Sequence, residues 1–307
     1  MKLLIETPTW LGDAVMATPA IDNLLKYFDD AQITLVGSKV SLEALKYHPM
    51  VSHTYVLENG YINLFKTIKS LGSYDMFVSF RGSIRSKCLV FCVSAKEKYQ
   101  YDKSKYNYGH QVEKFNNFVC ESIQLDRSPR GLSLHLKSQL KNNKKVLALS
   151  PGAAYGSAKR WIPRKFAEVA KELSNQYDIL ILGGNEEIDI AEDIENFLIS
   201  YGIENYQNLV GKTSIKQLIY KISELDLFIT GDSGPMHIAA AYRIPTVAIF
   251  GPTNDKETSQ WMNLKGIIVK KNLKCQPCMK RICPLKHHDC MNHIHSSDVI
   301  KAIQSIT

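Results

Sequence analysis

A chain of 307 residues suits two domains rather than one. Its apolar content of 45% is that of an ordinary globular protein, and no apolar run reaches the roughly 18 residues a membrane span needs. The net charge of +8 suits nucleic acid, anionic lipid headgroups, an acidic glycan or simply a soluble basic surface, but no nucleic-acid module shows its signature.

The charge is uneven. Arg81 to Lys114 holds eight Lys/Arg against Glu97, Asp102 and Glu113, and Glu257 to Asp289 encloses seven Lys/Arg and no acid. The N-terminus, MKLLIETPTWLGDAV, is apolar only briefly and is interrupted by Glu6 and Asp13, so it reads as a first strand and not as a signal peptide. A cytoplasmic protein is expected. Seven cysteines in such a chain argue against a disulfide framework, and Cys88, Cys92 and Cys120, in apolar surroundings, read as core.

In chain order, Leu3 to Glu6 reads as a strand, Thr7 to Asp13 as a loop and Ala14 to Phe28 as a helix with Val15, Ile21, Leu24, Leu25 and Phe28 on one face. Asp13 stands where that helix starts. It suits an N-cap there. It equally suits a general base, since the carboxyl end of a first strand borders the crevice where open α/β sheets bind ligands. Strands at Gln32 to Val36, Ser52 to Leu57 and Met76 to Phe80 alternate with helices at Ser41 to Tyr47 and Ile62 to Leu71, which predicts a parallel sheet covered on both faces. Arg81, Arg85 and Lys87 follow the last of these strands. They can grip an anionic acceptor or merely solvate a helix start. Tyr106 to Gln124 predicts a helix closing the domain, and the polar, turn-rich stretch Leu125 to Lys145 is the expected boundary, with domains at 1–140 and 141–307.

The second domain opens with a strand, Val146 to Ser150. The loop PGAAYGSAKRW, Pro151 to Trp161, ends in two cations and an aromatic. Its backbone N–H groups and Lys159 suit a phosphate, although a basic loop with Trp161 packed over it has the same composition. A helix at Pro163 to Asn175 and a strand at Ile179 to Leu182 lead to Gly183-Gly184-Asn185-Glu186-Glu187. An acid after such a glycine turn suits ribose hydroxyls. Helices follow at Asp189 to Ile199 and Ser214 to Ser223. Leu227 to Thr230 predicts a strand, Gly231-Asp232-Ser233-Gly234 a tight loop, Pro235 to Tyr242 a helix and Thr246 to Phe250 the next strand. Such a loop aims free N–H groups and the positive end of a helix dipole at one spot, which favours a diphosphate; Asp232 or Ser233 as a plain helix cap gives the same pattern. Cys275, Cys278, Cys283 and Cys290, with His287 and His293, form a possible zinc-ligand set, though not at standard finger spacing. Thiols packed under the last helix, Ser297 to Ile306, or a redox-labile pair are the alternatives.

Three segments, TWLGDAV, PGAAYGSAKRW and GDSGPMHIAAA…PTVAIFGPT, together resemble the ADP-heptose:lipopolysaccharide heptosyltransferases, glycosyltransferase family 9. The likeness extends over nearly the whole chain, and its wording is more similar to the type II enzymes, which add the second heptose. It implies the GT-B fold: two Rossmann-like α/β domains, with parallel sheets, facing across a central cleft. The N-terminal one would hold the acceptor and the C-terminal one the nucleotide sugar. It implies Asp13 as catalytic base and Lys159 as the cation on the leaving group. Gly12, Ala154, Tyr155, Glu186, Asp232, Ser233, Gly234 and His237 are implied on the donor, with Glu186 preferred to Glu187; Arg81, Arg85 and Lys87 are expected on the acceptor from their place past a strand's carboxyl end, not from the resemblance. It further implies inverting transfer from ADP-heptose to heptosyl-Kdo-lipid A without metal or cofactor, at the cytoplasmic face of the inner membrane, with peripheral contact to its anionic surface and no nucleic-acid partner. The alternatives are a GT-B transferase using another nucleotide sugar, and a non-catalytic nucleotide-binding protein with a zinc-bound tail.

Overall fold

The computed structural model describes residues 1–28, 30–136, 144–152 and 155–306. The chain divides into two compact units, Met1–Leu136 and Lys137–Thr307. The expected boundary at 140/141 and the expected donor residue Ala154 lie outside the described residues.

The first unit runs β1 (Lys2–Glu6), α1 (Leu11–Met16), α2 (Thr18–Tyr27), β2 (Gln32–Gly37), α3 (Lys39–Leu45), β3 (Val51–Val56), α4 (Tyr61–Ser70), β4 (Tyr74–Ser79), α5 (Ile84–Cys92), β5 (Ala95–Gln100) and α6 (Gln111–Ser122). Its five strands are parallel in the order β3-β2-β1-β4-β5. A parallel sheet needs helices on both faces, which explains the unbroken apolar runs of the central strands. Leu3, Leu4 and Ile5 of β1 are fully buried, and Phe77 and Val78 of β4 nearly so. The order reverses between β1 and β4, so the loops after these two strands border a crevice at their carboxyl ends.

The helix expected from Ala14 to Phe28 is two helices, and it starts earlier, at Leu11. The break has a local cause. Pro19 has no N–H to give the carbonyl of Val15 four residues back. The Thr18 hydroxyl donates to that carbonyl instead, at 2.8 Å. Tyr106 to Gln124 is helical only from Gln111, because His110 caps α6 in a reciprocal capping box with Glu113. Residues 126–136, expected in the boundary, belong to the first unit: Asn116 bonds the Arg127 carbonyl, Asn23 that of Ser128, and Ser133 Oγ the Asp22 carboxylate. Cys120 is buried as expected and Cys88 half-buried, but Cys92 is exposed at the end of α5 and is not core.

The second unit runs β6 (Val146–Ser150), α7 (Pro163–Leu173), β7 (Asp178–Ile181), α8 (Ile188–Ser200), β8 (Tyr206–Asn208), α9 (Ile215–Ser223), β9 (Leu227–Gly231), α10 (Gly234–Ala241), β10 (Thr246–Phe250), α11 (Asp255–Thr258), β11 (Gly266–Lys270), α12 (Asp289–Asn292) and α13 (Ser296–Gln304). Six parallel strands lie in the order β11-β10-β9-β6-β7-β8, and the reversal falls between β6 and β9. One continuous core joins the sheet to α7, α8 and α13. Trp161 is a buried anchor of it, edge-on to Phe166 and donating its indole N–H to the carbonyl of Ile294. Among the described residues, no helix is long and apolar enough to cross a membrane.

Candidate active site

In the second unit, the register Ser150↔Thr230 sets the ends of β6 and β9 side by side. The loop after β6 therefore meets the loop after β9. Lys159, at the end of a single 3-10 turn (Ser157–Lys159), donates to Asp232 Oδ2 at 2.6 Å and to the Asp232 carbonyl at 2.9 Å. Both side chains are nearly dry, 10% and 6% exposed. The ammonium also lies 4.8 Å from the centre of the Tyr155 ring, within cation–π range. Asp232 does not cap α10. The N-cap is Ser233, whose hydroxyl pairs with Thr230 Oγ1 at 3.1 Å and makes no cap bond. The half-exposed first turn at Ser233 and Gly234 thus presents backbone N–H groups, beside a lysine, at the switch point of a parallel sheet. His237 is buried beneath that turn, 3% exposed.

Two contacts brace the lysine loop. The Tyr155 hydroxyl donates to the Met279 carbonyl at 2.6 Å, and Ala158 N–H to the Arg281 carbonyl at 3.0 Å. Arg281 also lies over the Tyr155 ring, 5.4 Å from its centre. Gly156 allows the approach. Its φ is +153°, and a Cβ there would stand 2.4 Å from the Arg281 carbonyl oxygen. On the other side, Arg160 donates to the Glu186 carbonyl at 2.9 Å and tethers the loop to the turn after β7. Glu187 is occupied in that turn: it is buried, accepts from Gly184 N–H at 2.5 Å and fills the space over Gly152. Glu186 is exposed.

Cys290 is buried, and its thiol is pushed up to about 11 by burial and by the neighbouring thiols of Cys278, Cys283 and Cys275. Among the described residues, these cysteines do not form a group spaced for a shared ion. Among the described residues the group with that spacing is Asp22, His48 and His135, within 4.8 Å of one another. There, Met50 N–H donates to His48 Nδ1, so Nε2 of the neutral ring carries the proton, 3.9 Å from Asp22 Oδ1 and beyond hydrogen-bond reach.

In the first unit, the crevice between β1 and β4 is built on a residue the sequence reading passed over. Glu6, the last residue of β1, is 1% exposed. Its carboxylate accepts from Ser79 Oγ at 2.5 Å and Ser86 Oγ at 2.8 Å, and Arg81 Nη1 stands 3.5 Å away. Burial raises its pKa above the ordinary carboxylate range, against the opposing pull of these hydroxyls and of Arg81 and Arg85. The signal was present, as an acid ending an otherwise apolar strand. Of the three expected acceptor cations, Arg81 is turned to Glu6, Arg85 donates to the Glu58 carbonyl, and Lys87 is exposed on α5. Asp13 is half-buried in the first turn of α1, with Gly12 before it; the N-cap is Trp10, so the capping role is not what places Asp13 there.

Residues 62–288 match the profile of glycosyltransferase family 9 (heptosyltransferase). The chain belongs to that family. The lipooligosaccharide heptosyltransferase 2 of Campylobacter jejuni subsp. jejuni serotype O:2 is 41% identical over 316 residues, covering 100% of this chain and 98% of its own. The lipopolysaccharide heptosyltransferase 2 of Escherichia coli K12 is 33% identical over 293 residues, covering 83% and 84%. Among solved structures, the E. coli ADP-heptose lps heptosyltransferase II superposes with a TM-score of 0.82 at 20% identity, covering 100% of this chain and 98% of that one. The E. coli heptosyltransferase WaaC with ADP gives 0.79 at 15% identity, covering 100% of both. The two parallel α/β sheets are thus those of the GT-B heptosyltransferases. As a member of family 9 the protein is a glycosyltransferase of the lipopolysaccharide heptosyltransferase kind, similar to heptosyltransferase 2.

Proposed function

We propose that the enzyme moves a heptosyl residue from ADP-heptose to an inner core that already bears one heptose, with inversion and without a metal. The observation that supports this most is the Lys159–Asp232 pair beside the uncapped end of α10. A diphosphate seated there meets backbone N–H groups, the positive end of the helix dipole and one ammonium, which together take the charge of the departing ADP. Those groups do the work a divalent cation does in other transferases. Tyr155 and Glu186 flank the nucleotide, Glu186 toward the ribose hydroxyls. His237 lies under the turn and supports it.

Asp13 accepts the proton of the acceptor hydroxyl as that oxygen attacks the anomeric carbon, and the bond to the ADP oxygen breaks on the opposite face, so configuration inverts. Arg81, Arg85 and Lys87 hold anionic groups of the acceptor. The lipid-linked acceptor brings the enzyme to the cytoplasmic face of an anionic membrane. Calorimetric titration with ADP, UDP and GDP tests the donor site. ADP should bind at least tenfold more tightly than the others, and transfer should survive a chelator; equal binding of all three, or loss of turnover on chelation, would overturn this reading.

A further inference from the structure

Two neighbouring helices of the first unit carry the wrong residues for a face in water. α4 and α5 pack on one core cluster through Leu64 and Leu89, with Ile68 and Val90 beside them. Their outward ridges should then be polar. On α4 the outward ridge is Ile62, Phe65, Lys66 and Lys69, at i, i+3, i+4 and i+7, all exposed. On α5 it is Ile84, Lys87 and Phe91, at i, i+3 and i+7, again all exposed. Ile62, Ile84 and Phe91 are 76%, 78% and 85% exposed, and Tyr61 adds a further ring at 54%. Neither helix contains an acidic residue, while together they hold Lys66, Lys69, Arg85 and Lys87. From the strand beside α5, Lys98 reaches the Phe91 carbonyl at 3.2 Å and adds its charge to the same edge.

We propose that α4 and α5 form the face by which the enzyme rests on an anionic phospholipid surface, with Ile62, Phe65, Ile84 and Phe91 in the acyl–headgroup boundary and Lys66 and Lys69 on the phosphates. This deepens the membrane contact proposed above and rests on that reading. Bulky apolar residues with interleaved lysines are the composition of an interfacial helix, bound by apolar insertion and by attraction to anionic lipid. A second copy of the chain is a poor occupant, because self-pairing of this face sets Lys66, Lys69 and Lys87 against like charges with no helix acid to answer them. The face also begins at the crevice: α5 starts three residues after Arg81, so a lipid-anchored acceptor held by Arg81 has its anchor close to the bilayer.

The test is flotation of the full-length protein with vesicles of phosphatidylcholine alone or mixed with phosphatidylglycerol. Wild type should bind the phosphatidylglycerol vesicles and be released by high salt. The double variant Ile62→Asp/Phe91→Asp should bind at least tenfold more weakly, with unchanged melting temperature and ADP affinity. It should transfer normally to a delipidated core oligosaccharide and poorly to vesicle-embedded acceptor. Leu264→Asp, at an exposed apolar site of the second unit, should bind like wild type. If wild type binds and the double variant binds equally well, this face is wrong and the membrane contact stands. If wild type does not bind, both fall. Dimers in sedimentation velocity that the double variant dissociates, without vesicle binding, would assign the face to self-association instead. Vesicle binding by wild type with no heptosyl transfer would leave the face standing while the proposed reaction falls.

Discussion

Replacing Lys159 by Met separates the structural from the chemical role of the switch-point pair. At 2.6 Å, in surroundings with an effective dielectric of about 20, the attraction to Asp232 is roughly 6 kcal/mol. Desolvating the two charges consumes most of it, so the pair as a unit contributes little net stability. Removing one partner is different. The Asp232 carboxyl is then left nearly dry without its cation, a loss of about 3–5 kcal/mol, and the Tyr155 ring loses a contact of ~1 kcal/mol. For a unit of this size that lowers its melting temperature by on the order of 10 °C. Adding Asp232→Asn removes the stranded carboxyl, so Lys159→Met/Asp232→Asn should regain most of the stability. It should not regain ADP binding, which both variants lose by roughly 10- to 100-fold through the missing charge-assisted bond. Thermal unfolding followed by circular dichroism and calorimetric ADP titration measure the two effects. A single variant that melts like wild type would refute the coupling, and a double variant that binds ADP normally would remove Lys159 from the donor site.

Three further outcomes follow from the same geometry. Asp13→Asn should lower kcat by about 10²–10⁴ with the ADP dissociation constant nearly unchanged; parallel loss of binding and turnover would make Asp13 structural. Gly156→Ala should destabilise the second unit by about 1–3 kcal/mol and weaken ADP, since its Cβ meets the Arg281 backbone; a wild-type melting curve would contradict the brace. Glu6→Gln keeps a partner for Ser79 and Ser86 without a charge. Because burial raises the Glu6 pKa in the folded state, the folded form holds that proton longer than the unfolded form, and stability falls as pH rises through the window above the ordinary value of 4.5. The variant should lack that fall, be at least as stable as wild type at neutral pH, and show a raised acceptor KM through the freed Arg81; an unchanged pH profile of the melting temperature would refute this.

The central elements were legible because their residues answer to one constraint. Strands buried on both faces, such as Val146 to Ser150 and Thr246 to Phe250, must be apolar along most of their length, and the sequence pattern places them where they stand. β5, β8 and β11 each lie at a sheet edge; β5 and β8 are polar enough to escape an apolar pattern, while β11, GIIVK, is a short apolar run at an edge. AKEKYQ alternates charges because an exposed edge is protected by them. The wording of the donor loop pointed to Lys159, but its partner could not be deduced from spacing, since Asp232 is 73 residues away and the two meet only through the pairing of β6 with β9. The role of Arg281 and Met279 in holding Tyr155 and Ala158 was hidden for the same reason. The role of Glu6 is not legible in the sequence alone, because a carboxylate inside a strand acquires meaning only when β4 brings Ser79 and Arg81 beside it.

A transfer assay with ADP-heptose and two soluble core acceptors, one ending in Kdo and one already carrying a single heptose, tests the proposed reaction most directly. One heptosyl residue should be added to the second acceptor only, with stoichiometric ADP and an anomeric configuration in the product, read by NMR, opposite to that of the donor. Transfer to the Kdo-terminated acceptor alone, retention of configuration, or turnover with a UDP- or GDP-sugar in place of ADP-heptose would contradict the proposed reaction.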